Sequence, residues 1–156
     1  VLLAPFEGQL EVGIAPQARS ACLVEDRRLR QTPIHPGRIG LLMLSGGEIN
    51  GQRLFPKAVV ENIRAGGKKS AFAKAGYKTL EGGSYRSMWW VFHNKHGGFA
   101  ARGVHGQTIY VDPTAEMVIV RFASFPTAKN AKIDPTSLPA YQAVAEYLMR
   151  QKRGSD

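Results

Sequence analysis

The stretch "YRSMWWVFHNKHGGFAARGVHGQTIYVDPTAEMVIVRFAS", Tyr85 to Ser124, decides the fold. "YRSMWWVFH" (Tyr85 to His93) is rich in aromatics and ends at the turn signal "NKHGG", which predicts a strand followed by a reversal. Phe99 to Val104 predicts the return strand. Gln107 to Asp112 predicts a third, with Ile109 and Val111 alternating against Thr108 and Tyr110. Pro113 cannot donate to a ladder, so "DPTAE" reads as a hairpin loop. "MVIVRFAS" (Met117 to Ser124) is apolar at successive positions, as a central strand covered on both faces would be.

Something must cover that strand, and the end of the chain offers it. Tyr141, Val144, Ala145 and Leu148 recur at i, i+3, i+4 and i+7, while Arg150, Lys152 and Arg153 suit the negative end of a helix dipole. Upstream, two short helices are expected. In "GRIGLLMLSGG", Ile39, Leu42 and Met43 share a face and Gly46-Gly47 supply the stop. Pro56 suits a first helical position, Val59, Val60 and Ile63 make a stripe, and Gly66-Gly67 end it. "KKSAFAKAGYKTLEGGS" reads as a polar surface connection. Residues 1–37 show no period of 2 or 3.6 and are broken by Pro5, Pro16, Pro33 and Pro36, so they are taken as a divergent or irregular segment ahead of a domain over 38–156. The fold class is therefore α+β: an antiparallel sheet of three to four strands, Tyr85 to Ser124, with the C-terminal helix packed on it.

Composition narrows the function classes. With 156 residues, 44 % of them hydrophobic and 21 % charged, the chain has the length and apolar content for one globular core. A single cysteine, Cys22, excludes an internal disulfide framework and a cysteine-based zinc site. No apolar run approaches the ~20 residues of a membrane helix, and "VLLAPFEGQLEVG" lacks the basic head of a signal peptide, so no membrane partner is expected; the compartment stays open, with the cytoplasm favoured. The absence of an initiator Met raises the expectation of further sequence upstream.

The net charge of +9 invites a nucleic-acid reading, so its distribution matters. Residues 1–40 carry five basic and four acidic groups, 41–80 seven and two, 81–120 three and three, and 121–156 six and three. The excess lies mainly in "RAGGKKSAFAKAGYK", Arg64 to Lys78, and in the last turn of the chain.

The turn "ARGVHG" lies in the neutral quarter, and three readings compete for it. Gly103-Val104-His105-Gly106 is superficially like the G-x-x-G clamp of KH domains, but those loops join two helices whereas this one joins two apparent strands; no nucleic-acid partner is expected. His93-x-x-His96 with His105 could offer imidazoles to Zn²⁺, but with no cysteine and no carboxylate at ligand spacing the plainer reading is a solvated hairpin turn, and no metal or cofactor is expected. The third reading is acyl transfer. A glycine at a strand edge lets a substrate carbonyl approach the backbone, and an N–H there can stabilise the oxyanion of a tetrahedral intermediate. On spacing alone, a glycine that merely relieves crowding beneath Trp89 and Trp90 is preferred.

Beyond spacing, "YRSMWWV…HGGFAARGVHGQTIYVDPTAEMVIVRFASFP", together with "RIGLLMLSGGEINGQRLF" and "DPTSLPAYQAVAEYL", resembles the C-terminal part of serine hydrolases of the β-lactamase-like (penicillin-recognising, class C type) superfamily. The likeness is greatest to the 6-aminohexanoate-dimer hydrolase and carboxylesterase branch and runs from about Arg38 to about Met149. It implies a partial β-lactamase/transpeptidase-like fold and hydrolysis of a small-molecule amide or ester through an acyl-enzyme.

In that family a third signature box, K-T-G, H-T-G or W-x-G followed by x-x-G, lies on the sheet edge facing the nucleophile. Ala101-Arg102-Gly103 occupies it here and Val104-His105-Gly106 follows. The resemblance implies that Gly103 allows the close approach, that the Val104 backbone N–H is an oxyanion donor, and that Arg102, His105 and Gly106 line the substrate. Ala101 stands where the family has Lys, His or Trp, which favours an amidase or esterase over a true β-lactamase.

The family's nucleophile comes from Ser-x-x-Lys, where lysine eases removal of the serine proton. This sequence contains none. Ser70 and Lys74 are one residue too far apart, and Tyr85-Arg86-Ser87 imitates the Tyr-x-Ser box but falls on the strand before the third box. The chain is therefore expected to be a C-terminal fragment, inactive alone. The departure upstream of about Gly37, where the family would carry "T-x-R-D-L-A-R" and this chain reads "RQTPIHPG", raises the further expectation of a shifted reading frame there. A noncatalytic interaction module using the basic Arg64 to Lys78 segment is the alternative, and the oligomeric state is open.

Overall fold

The computed structural model describes residues 10–14, 21–25 and 34–153, the first two segments as backbone. In chain order the elements are β1 (Leu10–Ile14), β2 (Ala21–Glu25), α1 (Ile34–Leu44), the small hairpin β3 (Glu48–Ile49) and β4 (Gln52–Arg53), α2 (Lys57–Ala65), α3 (Lys69–Lys74), β5 (Ser84–Arg86), β6 (Trp89–Val91), β7 (Phe99–Arg102), β8 (Thr108–Asp112), β9 (Met117–Arg121) and α4 (Asp134–Arg153). The main sheet runs β1-β2-β9-β8-β7-β6-β5. β5 to β9 pair antiparallel throughout, and β2 joins β9 in parallel.

The chain is α+β, as expected, but the sheet has more strands than the three to four expected: five antiparallel strands run between Ser84 and Arg121, and β1 and β2 extend them. Tyr85 to His93 is not one strand. It folds as a two-residue hairpin in which Arg86 pairs with Trp89 and both loop residues, Ser87 (φ 48°) and Met88 (φ 69°), are left-handed. That is a type I′ turn, normally marked by Asn-Gly or Gly-Gly. Here it carries neither residue, which is why the break is invisible in the sequence.

Alternation sorts the side chains to the two faces of the sheet. Trp89, Val91, Phe99, Val111, Val118 and Val120 meet Met43 of α1 and Val60 and Ile63 of α2. Ala100, Tyr110, Met117 and Ile119 meet Tyr141 and Ala145 of α4, with Val144 and Leu148 packed alongside. β9 is buried on both faces and α4 covers one of them, as the sequence predicts.

Three expectations need correction. On α1, Ile39 is half exposed, and the face turned to the sheet includes Gly40, where an added Cβ would lie 2.3 Å from Val118 Cγ1. The helix sits close to β9 because a side chain is missing, a signal opposite to the apolar stripe. On α2, Pro56 is the N-cap and Val59 is exposed. Residues 68–84 are more than a polar connection: α3 and a 3₁₀ turn at Lys78–Leu80 bury Phe72 and Leu80, and Phe72 packs edge-on to Trp90 (5.7 Å between ring centres). Among the described residues, no helix is long and apolar enough to cross a membrane.

Candidate functional site

β7 ends at Arg102, and the chain enters the turn through Gly103 in extended backbone (φ −94°, ψ −178°). A 3₁₀ turn, Val104–Gly106, then carries His105 (φ 57°) and Gly106 (φ 88°) through left-handed conformations before β8 begins. Hydrogen bonds fix almost every N–H of this turn. Gly103 N–H donates to Gln107 O (2.9 Å), His105 N–H to Ala128 O (3.2 Å), Gly106 N–H to Asn130 Oδ1 (3.0 Å) and Gln107 N–H to Val104 O (3.3 Å). Only the Val104 N–H finds no acceptor among the described residues, and Val104 as a residue is exposed.

Val104 and Gly103 border a cleft of about 660 Å³. One wall is aromatic: Trp90 stands edge-on to Tyr77 (4.8 Å between ring centres), and the Arg102 guanidinium lies 5.5 Å over the Trp90 ring. Arg102 also pairs with Asp134, both side chains nearly buried, and Asp134 Oδ2 accepts from Thr79 Oγ1 at 2.6 Å. Burial lowers the Arg102 pKa, and the carboxylate of Asp134 opposes that shift. Gly103 also borders a second cleft of about 330 Å³, with Ala101 and Ile109, and an added Cβ on it would lie 3.3 Å from Gln107 Cβ.

The geometry separates the residues expected at the site. Gly103 and Val104 meet at the cleft. Arg102 borders it too, but its guanidinium is held by Asp134 and serves to tie β7 to the start of α4. His105 and Gly106 are tied to the chain behind the turn. His105 Nδ1 meets Phe125 O at 2.7 Å, and Gly106 is packed so closely that an added Cβ would lie 3.0 Å from Ile133 Cδ1. Its carbonyl accepts from Arg121 Nε at 2.7 Å. Asn130, which the sequence reading passed over, bonds both ends of the turn. Nothing in its sequence neighbourhood marks it, because its partners lie 24 and 27 residues away.

The other nucleophiles and imidazoles are engaged elsewhere. His93, His96 and His105 have separate partners, and the described residues contain no group of three or more His, Cys, Asp or Glu able to hold a metal. "HNKHGG" is not a solvated turn: His96 is 4 % exposed and its Nδ1 meets buried Asp112 Oδ2 at 2.8 Å. His93 Nε2 lies 2.7 Å from Ser84 Oγ, which also accepts from Gly67 N–H at 3.1 Å. Burial and then Lys69 lower the His93 pKa. This serine–histidine pair is shut in, however. Ser84 is fully buried, and its Oγ would lie 2.2 Å from a Cβ on Gly66, so no acyl group can reach it. Tyr85 and Arg86 are sheet, as expected, and Ser70 and Lys74 are exposed on α3.

No family model matches the chain. Over 90 residues it is 37 % identical to the 6-aminohexanoate-dimer hydrolase of Paenarthrobacter ureafaciens, a match covering 57 % of this chain and 23 % of that protein. Among solved structures it resembles a "Putative 6-aminohexanoate-dimer hydrolase from Bacillus anthracis", with a TM-score of 0.62 and 33 % identity over 76 % of this chain and 29 % of that one. The chain thus spans about a quarter of the length of these relatives. It is a partial-length relative of β-lactamase-like serine hydrolases, in agreement with the resemblance of its sequence.

Proposed function

We propose that this chain supplies the oxyanion-hole strand of a serine hydrolase that cleaves amide or ester bonds through an acyl-enzyme, of the 6-aminohexanoate-oligomer hydrolase or esterase type. One observation carries the reading: from Gly103 to Gln107 the Val104 N–H alone has no acceptor among the described residues, and Val104 is one of the residues that line the larger cleft. A donor kept unpaired and fixed by its bonded neighbours is preorganised for charge that develops only in the transition state. Gly103 lets the turn close on Gln107, whose Cβ would lie 3.3 Å from a Cβ added at Gly103.

The strand holds one half of the chemistry. The sequence has no Ser-x-x-Lys, and the Ser84–His93 pair is closed to substrate. The serine that attacks the carbonyl, and the lysine that takes its proton, belong to a portion outside this sequence. Assays of the chain with p-nitrophenyl esters and a linear amide are expected to show no turnover. Turnover that survives purification and is abolished by a serine-directed phosphonate would overturn the reading.

A further inference from the structure

We propose that Asn130 is the positioning residue of the oxyanion donor, orienting and polarising the Gly103–Val104 peptide; this rests on the reading of the Val104 N–H given above. A peptide unit is planar, so the Gly103 carbonyl and the Val104 N–H are opposite ends of one rigid dipole. Whatever fixes the carbonyl aims the N–H. Asn130 Nδ2 donates to Gly103 O at 2.8 Å, while Asn130 Oδ1 accepts from Gly106 N–H at 3.0 Å. One side-chain amide therefore spans the turn. Its orientation is forced by its partners, since a backbone N–H only donates and a carbonyl only accepts.

The bond to Gly103 O does more than hold it. A hydrogen bond to a carbonyl polarises the peptide and strengthens its N–H as a donor, and this effect adds to that of the oxyanion the N–H would meet. Asn130 is itself held by the start of a 3₁₀ turn, Asn130–Lys132, where its carbonyl accepts from Ile133 N–H at 2.9 Å. On the far side, His105 N–H bonds Ala128 O and Phe125 N–H bonds His105 O at 3.1 Å, so the segment from Phe125 to Asn130 grips the turn at both flanks. Asn130 also borders the cleft beside Val104.

The test is NMR on the full chain labelled with ¹⁵N and ¹³C. In the wild type, a coupling across the hydrogen bond should link the Asn130 side-chain nitrogen to the Gly103 carbonyl carbon. Its absence, when couplings of the neighbouring turn bonds are seen, overturns the proposal without any variant. In Asn130→Asp the acceptor for Gly106 N–H is kept and the donor to Gly103 O is lost. The Val104 amide proton should then move upfield while that of Gly106 stays downfield; a Val104 resonance that does not move, or a turn that moves as a whole, counts against a positioning role.

Titration with 4-nitrophenolate separates the two layers of the argument. The Val104 amide should respond in the wild type, and the affinity should fall roughly threefold to tenfold in the uncharged variant Asn130→Ala, the range of one neutral hydrogen bond. Equal response in both proteins overturns the role of Asn130 alone. No response in the wild type overturns the oxyanion reading, and with it the functional half of this proposal.

Discussion

Val104 offers an unusually clean substitution. It is the first residue of a 3₁₀ turn, its N–H has no acceptor among the described residues, and Gly103 before it is extended at ψ −178°. Proline is suited to the first position of a helical turn and requires an extended residue ahead of it. Val104→Pro should therefore fold as the wild type does, with thermal stability within about 0.5 kcal/mol, the usual range of a surface change. In a polypeptide that joins this chain to the Ser-x-x-Lys-bearing portion of a 6-aminohexanoate-dimer hydrolase, the same change should lower kcat by about 10² to 10³, as loss of one oxyanion donor does. Steady-state kinetics on p-nitrophenyl esters measure it, and an unaltered kcat would remove Val104 from the mechanism. His105, by far the more conspicuous residue of the turn, is predicted to matter only through the loop it anchors.

Among the elements, α1 shows what a pattern of apolar residues can hide. Its approach to the sheet is set by Gly40, and a methyl there would lie 2.3 Å from Val118 Cγ1, a branched side chain wedged in the middle of β9. Helix propensity favours alanine over glycine by about 1 kcal/mol, but overpacking a core costs about 1 to 3 kcal/mol. Gly40→Ala is expected to destabilise by up to about 2 kcal/mol on balance, read as a lower urea midpoint at unchanged slope; a gain in stability would show that α1 can lift off freely. The same logic explains which elements were legible. β8, β9 and α4 announced themselves because their periods run over many residues and their large side chains are buried. The Ser87-Met88 reversal, α3 and the inward face of α1 did not, because left-handed non-glycine residues, six-residue helices and absent side chains leave no periodic trace. The site divides the same way. Gly103 and Val104 were found through likeness to a family rather than from spacing, and Asn130 was missed because it acts across 27 residues through a single amide.

At the scale of the whole molecule, the sheet is held between α1 with α2 on one face and α4 on the other, and the second interface carries a titratable group. Tyr110 of β8 is 3 % exposed and stacks between Phe92 (5.6 Å) and Tyr141 of α4 (5.1 Å). Burial, with Asp112 nearby, pushes its phenol from the ordinary 10.0 up to about 12. A raised pKa means that the folded state holds the proton more tightly than the unfolded chain. The contribution is therefore fully present below pH 10 and is lost as the pH climbs toward 12, by an amount on the order of 2 to 3 kcal/mol. Other groups titrate in that window, so the informative quantity is a difference. Chemical denaturation of the wild type and of Tyr110→Phe across pH 9 to 12 should give curves that run parallel below about 10 and converge or cross above it, because only the wild type must bury a phenolate. Equal alkaline losses in both proteins would clear Tyr110. The consequence reaches the site, because α4 begins at Asp134, the partner of Arg102 at the end of β7, just after the segment that presents Asn130 to the turn. As α4 loosens, the carbon-bound resonances of Val104, which do not exchange with water, should therefore shift in the same pH window as the Tyr110 ring environment, and Val104 carbon signals that stay in place after α4 has melted would show that the turn stands without it.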